Sequence, residues 1–143
     1  MCTCILKTNF IIATLTIKVH VCHAWNPNEY NIMSLYGVVL SDSCVKIYLM
    51  YEGKQQKRVK TTVRANDTNP VFNENFSFDV PQNCVEKVYF SLVICHYNGE
   101  HKGTKIMGRV YIGANFGRDA QELWQSMLSN PRKKLVKTFA IGS

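Results

Sequence analysis

The residues best suited to binding chemistry in this chain are basic ones, concentrated on one predicted strand and on the turn before it. The cluster consists of Lys54, Lys57, Arg58, Lys60 and Arg64. Alternation along a strand places Arg58, Lys60 and Arg64 on one exposed face, and Lys46 joins them from the adjacent predicted strand. The whole chain carries 17 Lys and Arg against 10 Asp and Glu, a formal net charge of +7. Such a charge attracts anionic surfaces, and both nucleic acid and anionic membrane qualify.

Histidine and cysteine side chains, in contrast, form no catalytic or metal-binding pattern. The histidines are His20, His23, His96 and His101. They match none of the spacings of hydrolases, zinc proteases or phosphate-binding loops. Cys2 and Cys4 are the only cysteines close in sequence, and one such pair is a poor zinc signal. We therefore expect reduced thiols, no metal, no cofactor and no enzymatic activity.

Alternating apolar and polar residues predict the elements that must position the basic cluster. The predicted strands cover 3–7, 15–22, 45–50, 58–64, 74–80, 88–95, 106–112 and 135–141. Turn signals separate these segments, and no repeat or linker interrupts them. The pattern indicates one all-β domain over 1–143, an antiparallel sandwich.

Two local patterns refine this picture. Residues 119–129 place their apolar side chains on one helical face, with Asp119 and Glu122 as a capping-box-like start and Asn130-Pro131 as a stop. In the strand at 74–80, Phe76 and Phe78 share a face, and both are expected to be buried. The segment 23–42 shows no clear period and is interpreted as an ordered loop.

Several motifs resemble those of a known family. Thr68–Phe78 reads Thr-Asn-Pro-Val-Phe-Asn-Glu-Asn-Phe-Ser-Phe and resembles a stretch found in C2 domains. Val45–Val63 is similar to the third and fourth strands of a synaptotagmin second C2 domain, and Ile106–Val110 to its Ile-Gly-Lys-Val strand. Glu122–Lys133 resembles the extra helix and the basic turn of the same domain.

The resemblance is clear over 44–143 and weak over 1–43. It implies an eight-stranded antiparallel C2 β-sandwich with one amphipathic helix before the last strand. Within the family, the chain resembles most the calcium-independent branch of synaptotagmins fourteen and sixteen.

The acidic residues of the calcium-binding loops of this family are mostly missing. A C2 calcium site uses about five Asp side chains, because Ca²⁺ prefers six to eight oxygen ligands. Asp42 matches one of them, Tyr36 stands where another is expected, and Cys95-His96-Tyr97 stands where the family has Asp-Tyr-Asp. The third loop carries Glu100 as its only acid, together with the cationic candidates His96, His101, Lys102 and Lys105. We expect no calcium binding, with Asp42 as a lone remnant in a turn and a loop tip that attracts anionic lipid.

The resemblance also implies partners. The basic cluster corresponds to the patch that binds phosphoinositide or phosphatidylserine headgroups. In the basic turn Arg132, Lys133 and Lys134, the first two residues correspond to the basic pair that meets SNARE proteins or a second membrane. Other C2 domains are further implied partners. The predicted function is calcium-independent binding of anionic phospholipid, trafficking proteins or both, in vesicle trafficking or exocytosis. The alternative is a protein-interaction or oligomerisation domain without lipid binding.

The remaining expectations concern location and nucleic acid. No apolar run reaches the roughly 18–20 residues of a membrane helix, and the apolar start lacks the features of a signal peptide. A cytoplasmic protein, peripheral at membranes, is therefore expected. Nucleic acid is not expected as a ligand, because the basic strand carries no interleaved exposed aromatic residues for base stacking.

Overall fold

Eight antiparallel strands and one α-helix are found among the described residues. The computed structural model describes residues 2–7, 13–21, 42–65, 72, 74–98, 103–130, 132–133, 135–139 and 141–142. The strands are β1 (Cys2–Lys7), β2 (Ala13–Val21), β3 (Asp42–Tyr51), β4 (Lys54–Lys60), β5 (Phe76–Val80), β6 (Val88–Asn98), β7 (Gly103–Ile112) and β8 (Leu135–Phe139). Helix α1 (Arg118–Ser129) lies between β7 and β8. The predicted all-β antiparallel fold with one helix before the last strand is confirmed.

The strands form two four-stranded sheets. The first sheet has the order β5-β2-β1-β8, and the second sheet has the order β4-β3-β6-β7. Every neighbouring pair is antiparallel. The chain passes from the first sheet to the second after β2, and it crosses again after β4, β5 and β7. The basic strand β4 therefore lies at an edge of the second sheet.

The core lies between the two sheets and is built by the alternation seen in the sequence. Val45 and Ile47 on β3 are fully buried, as are Phe78 on β5 and Phe90 on β6. The rings of Phe78 and Phe90 lie 5.0 Å apart between centroids. The expectation that Phe76 is buried like Phe78 is wrong, because Phe76 is only partly buried. Phe76 is the first residue of β5, which is an edge strand, so fewer neighbours cover it.

Helix α1 packs its predicted apolar face on the sandwich, but it begins differently from the expectation. Gly117, with φ of 82°, is the N-cap residue, and no side chain caps the helix. The Asp119 carboxylate instead lies 3.0 Å from Lys137 Nζ on β8. Glu122 pairs with Arg118 at 2.9 Å. The capping-box prediction is therefore wrong. The hydrogen bond from Lys137 to Asp119 raises the pKa of the Lys137 ammonium.

The predicted strand 58–64 lies earlier in the chain, at Lys54–Lys60. A two-residue hairpin turn joins it to β3, with positive φ at Glu52 and Gly53. Positive φ at both central residues is typical of a type I′ turn, whose twist matches that of the flanking strands. The turn allows β4 to start at Lys54, and the strand ends before Thr61.

Candidate anion-binding face

The outer face of the second sheet, which points away from the core, carries the cations that the structure brings together. Since Val45 and Ile47 fill the core, the alternating residues Lys46 and Tyr48 point outward. Lys46 lies opposite Lys60 of β4, and Tyr48 lies opposite Arg58. Arg58 also lies over the Tyr48 ring, with Cζ 5.9 Å from the ring centroid. Lys46, Arg58 and Lys60 therefore share one face, as predicted.

Sequence reasoning missed a fourth cation on this face, Arg109 of β7. Lys46 lies opposite Val93 of β6, and Val93 lies opposite Arg109. One row across the sheet thus reads Lys60, Lys46, Val93 and Arg109. Four strands at about 4.8 Å spacing bring these side chains within roughly 14 Å. The alternation of Arg109 with Val110 indicated an outward side chain, but the strand order needed to place it beside Lys46 was missing. We define Lys46, Arg58, Lys60 and Arg109 as the basic face.

A shallow groove of about 360 Å³ lies on this side of the sheet, with Lys46 and Arg109 of the basic face in its lining. Its described lining contains no acidic residue and consists of Lys46, Tyr48, Met50, Gln55, Tyr89, Ser91, Val93, Cys95, Ile106, Arg109 and Tyr111. Aromatic residues from three strands therefore lie among the cations. β4 itself carries no aromatic residue, as the sequence indicates, and the aromatic residues of the groove come from the neighbouring strands.

The floor of the groove is apolar. Cys44 and Cys95 are fully buried and lie opposite each other on β3 and β6, next to buried Val93. Both thiols are free. Burial raises the pKa of the Cys95 thiol, and the neighbouring Cys44 raises it further. The raised pKa keeps the Cys95 thiol protonated, so it packs as an apolar group. An apolar floor lowers the local dielectric, so charges at the rim of the groove interact more strongly with an anion.

The prediction that Arg64 shares the basic face is wrong. Lys46 lies opposite Lys60, whereas Ser43 lies opposite Arg64, so the chain after β4 contains one extra residue relative to β3. The Val45 amide donates to the Thr61 hydroxyl at 2.9 Å at this point. A shift of one residue reverses the side on which a side chain lies. Arg64 therefore lies on the side of buried Ser43, away from Lys60.

Lys54 and Lys57 also lie away from the basic face. Lys54 lies opposite Tyr51 and Lys57 opposite Leu49, which are residues on the core side of β3. The Lys57 ammonium donates to the Ser77 carbonyl oxygen at 3.2 Å and lies 5.2 Å from the centroid of the Phe78 ring. Lys57 thus joins the two sheets at their edge. Its predicted place in the lipid-binding patch is corrected, because alternation along β4 directs the side chains of Lys57 and Arg58 to different sides of the sheet.

The loop-tip candidates are only partly described. His96 is half-buried on β6, and its Nδ1 and the Oγ of its cross-strand partner Ser43 have no hydrogen-bond partner among the described residues. Lys105 belongs to β7, whereas His101 and Lys102 lie outside the described residues. Asp42 is the first residue of β3 rather than a turn residue. No group of three or more potential metal ligands occurs in the part of the chain that the structure describes.

The second predicted basic patch lies between α1 and β8. Arg132 and Lys133 are both exposed, and Arg132 has a positive φ of 66°. Lys134, the third member, lies outside the described residues. This turn leads into β8 of the first sheet, whereas the basic face belongs to the second sheet. None of the helices among the described residues is long and apolar enough to cross a membrane.

Comparisons with known proteins agree with this architecture. The family model for the C2 domain matches residues 13–127. Synaptotagmin-5 of Mus musculus is 41% identical over 102 residues, which cover 71% of this chain and 26% of that protein. Synaptotagmin-1 of Rattus norvegicus is 40% identical over 98 residues, covering 68% and 23%. The chain thus spans about a quarter of the length of the curated relatives it matches.

Solved structures show the same fold at low sequence identity. The RIM2 C2A-domain superposes with a TM-score of 0.62 at 10% identity, covering 97% of this chain and 96% of that one. The third C2 domain of the KIAA1228 protein superposes with a TM-score of 0.60 at 19% identity, covering 94% and 82%. These likenesses support the sandwich fold.

Proposed function

The chain belongs to the C2 domain family, and from this premise we propose that it is a calcium-independent module that binds anionic phospholipid in vesicle trafficking. The observation that carries the proposal is the row formed by Lys60, Lys46 and Arg109 beside a groove with no acidic residue in its described lining. Each cation near an anionic leaflet contributes on the order of 1 kcal/mol, an attraction that salt screens. No catalytic role is proposed.

The proposed ligand is a phosphoinositide or phosphatidylserine headgroup held over the groove. Arg58 and Arg109 offer planar guanidinium groups that bind phosphate oxygens in a bidentate manner, and Lys46 and Lys60 add point charges between them. The described lining contains no carboxylate that would repel the phosphate. These features favour a multiply charged headgroup over a neutral one.

Removing the charge of the basic face is the direct test. A Lys46→Gln, Arg58→Gln, Lys60→Gln variant should bind phosphoinositide vesicles roughly 100-fold more weakly at low salt, from about 1 kcal/mol per cation. The difference should shrink as salt rises, since exposed charges are screened over about 8–10 Å at physiological ionic strength. Vesicle co-sedimentation measures both effects.

The matched control removes the same charge elsewhere. A Lys54→Gln, Lys57→Gln, Arg64→Gln variant loses three positive charges as well, but from positions away from the basic face. It should retain most of the vesicle binding. Equal weakening of both variants would mean that only net charge matters. Wild-type binding by the basic-face variant would favour the alternative of a protein-interaction domain.

Calcium independence is proposed from the shortage of carboxylates. Addition of about 1 mM Ca²⁺ should leave the melting temperature unchanged, because a ligand stabilises a protein only by binding its native state. The measurement is a thermal melt with Ca²⁺ and with chelator. A rise of several degrees that Asp42→Asn abolishes would contradict the proposal.

The synaptotagmin type and branch, the protein partners and the location are proposed from fewer observations. The helix between β7 and β8 supports a domain of the second synaptotagmin type, and the scarcity of acids in the loops supports the branch of synaptotagmins fourteen and sixteen. The exposed turn at Arg132 and Lys133 is proposed as a contact for SNARE proteins or a second membrane. Oligomerisation with other C2 domains and a cytoplasmic, membrane-peripheral location are proposed from the family alone.

A further inference from the structure

Three aromatic rings pack together at one end of the basic face. The Phe116 ring lies 4.6 Å from the Tyr89 ring and 5.3 Å from the Tyr111 ring between centroids, and the Tyr111 and Phe116 rings are stacked at 17°. We define Tyr89, Tyr111 and Phe116 as the aromatic triad. Gly113 allows this packing, since a Cβ at that position would meet Tyr89 Cβ at 2.6 Å and Phe116 Cδ2 at 3.2 Å.

The aromatic triad lies on the same side of the second sheet as the cations. Tyr111 alternates with buried Val110 and Ile112, so it points outward like Arg109 two residues before it. Ser91 of β6 lies between two tyrosines, because it pairs with Tyr48 of β3 on one side and with Tyr111 of β7 on the other. Tyr89, Tyr111 and the four cations therefore form one continuous surface.

Two of the three rings are exposed to solvent although they pack together. Tyr111 is 40% exposed and Phe116 is 37% exposed. Packing among the three rings fixes their positions, but their outer surfaces face solvent. An apolar patch beside a groove that has cations and no acid in its described lining matches the boundary of an anionic bilayer, where phosphates lie beside the first apolar groups of the acyl chains.

We propose that the aromatic triad enters the headgroup region of an anionic bilayer while the basic face binds the phosphates, so that the second sheet lies flat against the membrane. The inference rests on the proposed lipid-binding function and adds the orientation of the bound domain. Tyrosine suits this boundary, since its ring is apolar and its hydroxyl group reaches water or headgroups. Phe116 supplies the fully apolar contact. The acyl-chain boundary distinguishes this partner from a soluble anion, which would bind the cations alone.

A tryptophan probe at the triad tests the orientation. Two probe variants, Phe116→Trp and Val136→Trp, are compared. Both also carry Trp25→Phe, so that the buried Trp124 is the only other tryptophan and provides an internal reference. Val136 is 58% exposed on β8 of the first sheet and is the matched control. The vesicles contain phosphatidylcholine, phosphatidylserine and phosphoinositide, with or without brominated acyl chains. Emission from Phe116→Trp should shift to the blue and be quenched several-fold more than emission from Val136→Trp.

The outcomes separate the inference from the proposed function. Co-sedimentation of Phe116→Trp without a blue shift or quenching would overturn the orientation and leave lipid binding intact. Equal quenching of both probes would also overturn it. Absence of vesicle binding by every variant would overturn both. As a second measurement, Tyr111→Ser with Phe116→Ser should weaken vesicle binding several-fold while its salt dependence remains. Unchanged binding by this double variant would exclude the triad from the contact.

Discussion

Replacing Phe78 with alanine is expected to lower the free energy of unfolding by about 3–5 kcal/mol, the usual cost of removing a buried phenylalanine. The Phe78 side chain is fully buried, contacts the Phe90 ring and lies beneath the Lys57 ammonium. Its removal opens a cavity between the two sheets, where the surrounding strands can collapse only in part. The loss is a large share of the roughly 5–15 kcal/mol that stabilises a typical domain.

Phe76→Ala is the matched control for this prediction. The two residues lie on the same strand with the same side-chain chemistry, but Phe76 is only partly buried. Its substitution should cost distinctly less, because less apolar surface leaves the core. Urea denaturation of both variants measures the difference. An equal loss for both would show that the edge at Phe76 is more tightly covered than its exposure indicates, and a small loss at Phe78 would contradict the described core.

Replacing Trp124 with alanine should be as damaging, by about 3–5 kcal/mol for the lost side chain alone. Trp124 is fully buried on α1, its ring lies 6.1 Å from the Phe90 ring, and its Nε1 donates a hydrogen bond to the Val85 carbonyl at 3.2 Å. Substitution also leaves that buried carbonyl without its partner, at a further cost of about 1–3 kcal/mol. The indole thus ties the inserted helix to the connection between β5 and β6.

Trp124→Phe separates the two contributions. Phenylalanine keeps much of the ring packing but cannot donate to Val85, so an intermediate loss of stability is expected. Both variants are measured by urea unfolding followed by circular dichroism. A Trp124→Ala variant within about 1 kcal/mol of wild type, the effect of an ordinary substitution, would show that α1 contributes little to the sandwich.

The strands, much of the core and the helix could be predicted from the sequence because each has its own period. Alternation identified Val45, Ile47 and Phe78 as core residues, and the 3.6-residue period identified the buried face of α1 that contains Trp124. Such patterns are local, since each side chain takes its direction from its own backbone. Arg58 and Lys60, two of the five residues of the predicted basic cluster, share a side because they alternate on one strand.

Only the tertiary structure decided which cations share a surface. Arg109 is far from Lys46 in sequence, yet β6 places them in one row, and the aromatic triad likewise joins residues from two strands and a loop. Conversely, Arg64 is excluded by a single extra residue before it, although the sequence alternates correctly up to Lys60. The physical reason is that period-two alternation determines sides within one strand. Strand order, register and bulges depend on hydrogen bonds between distant segments, and these determine which sides meet.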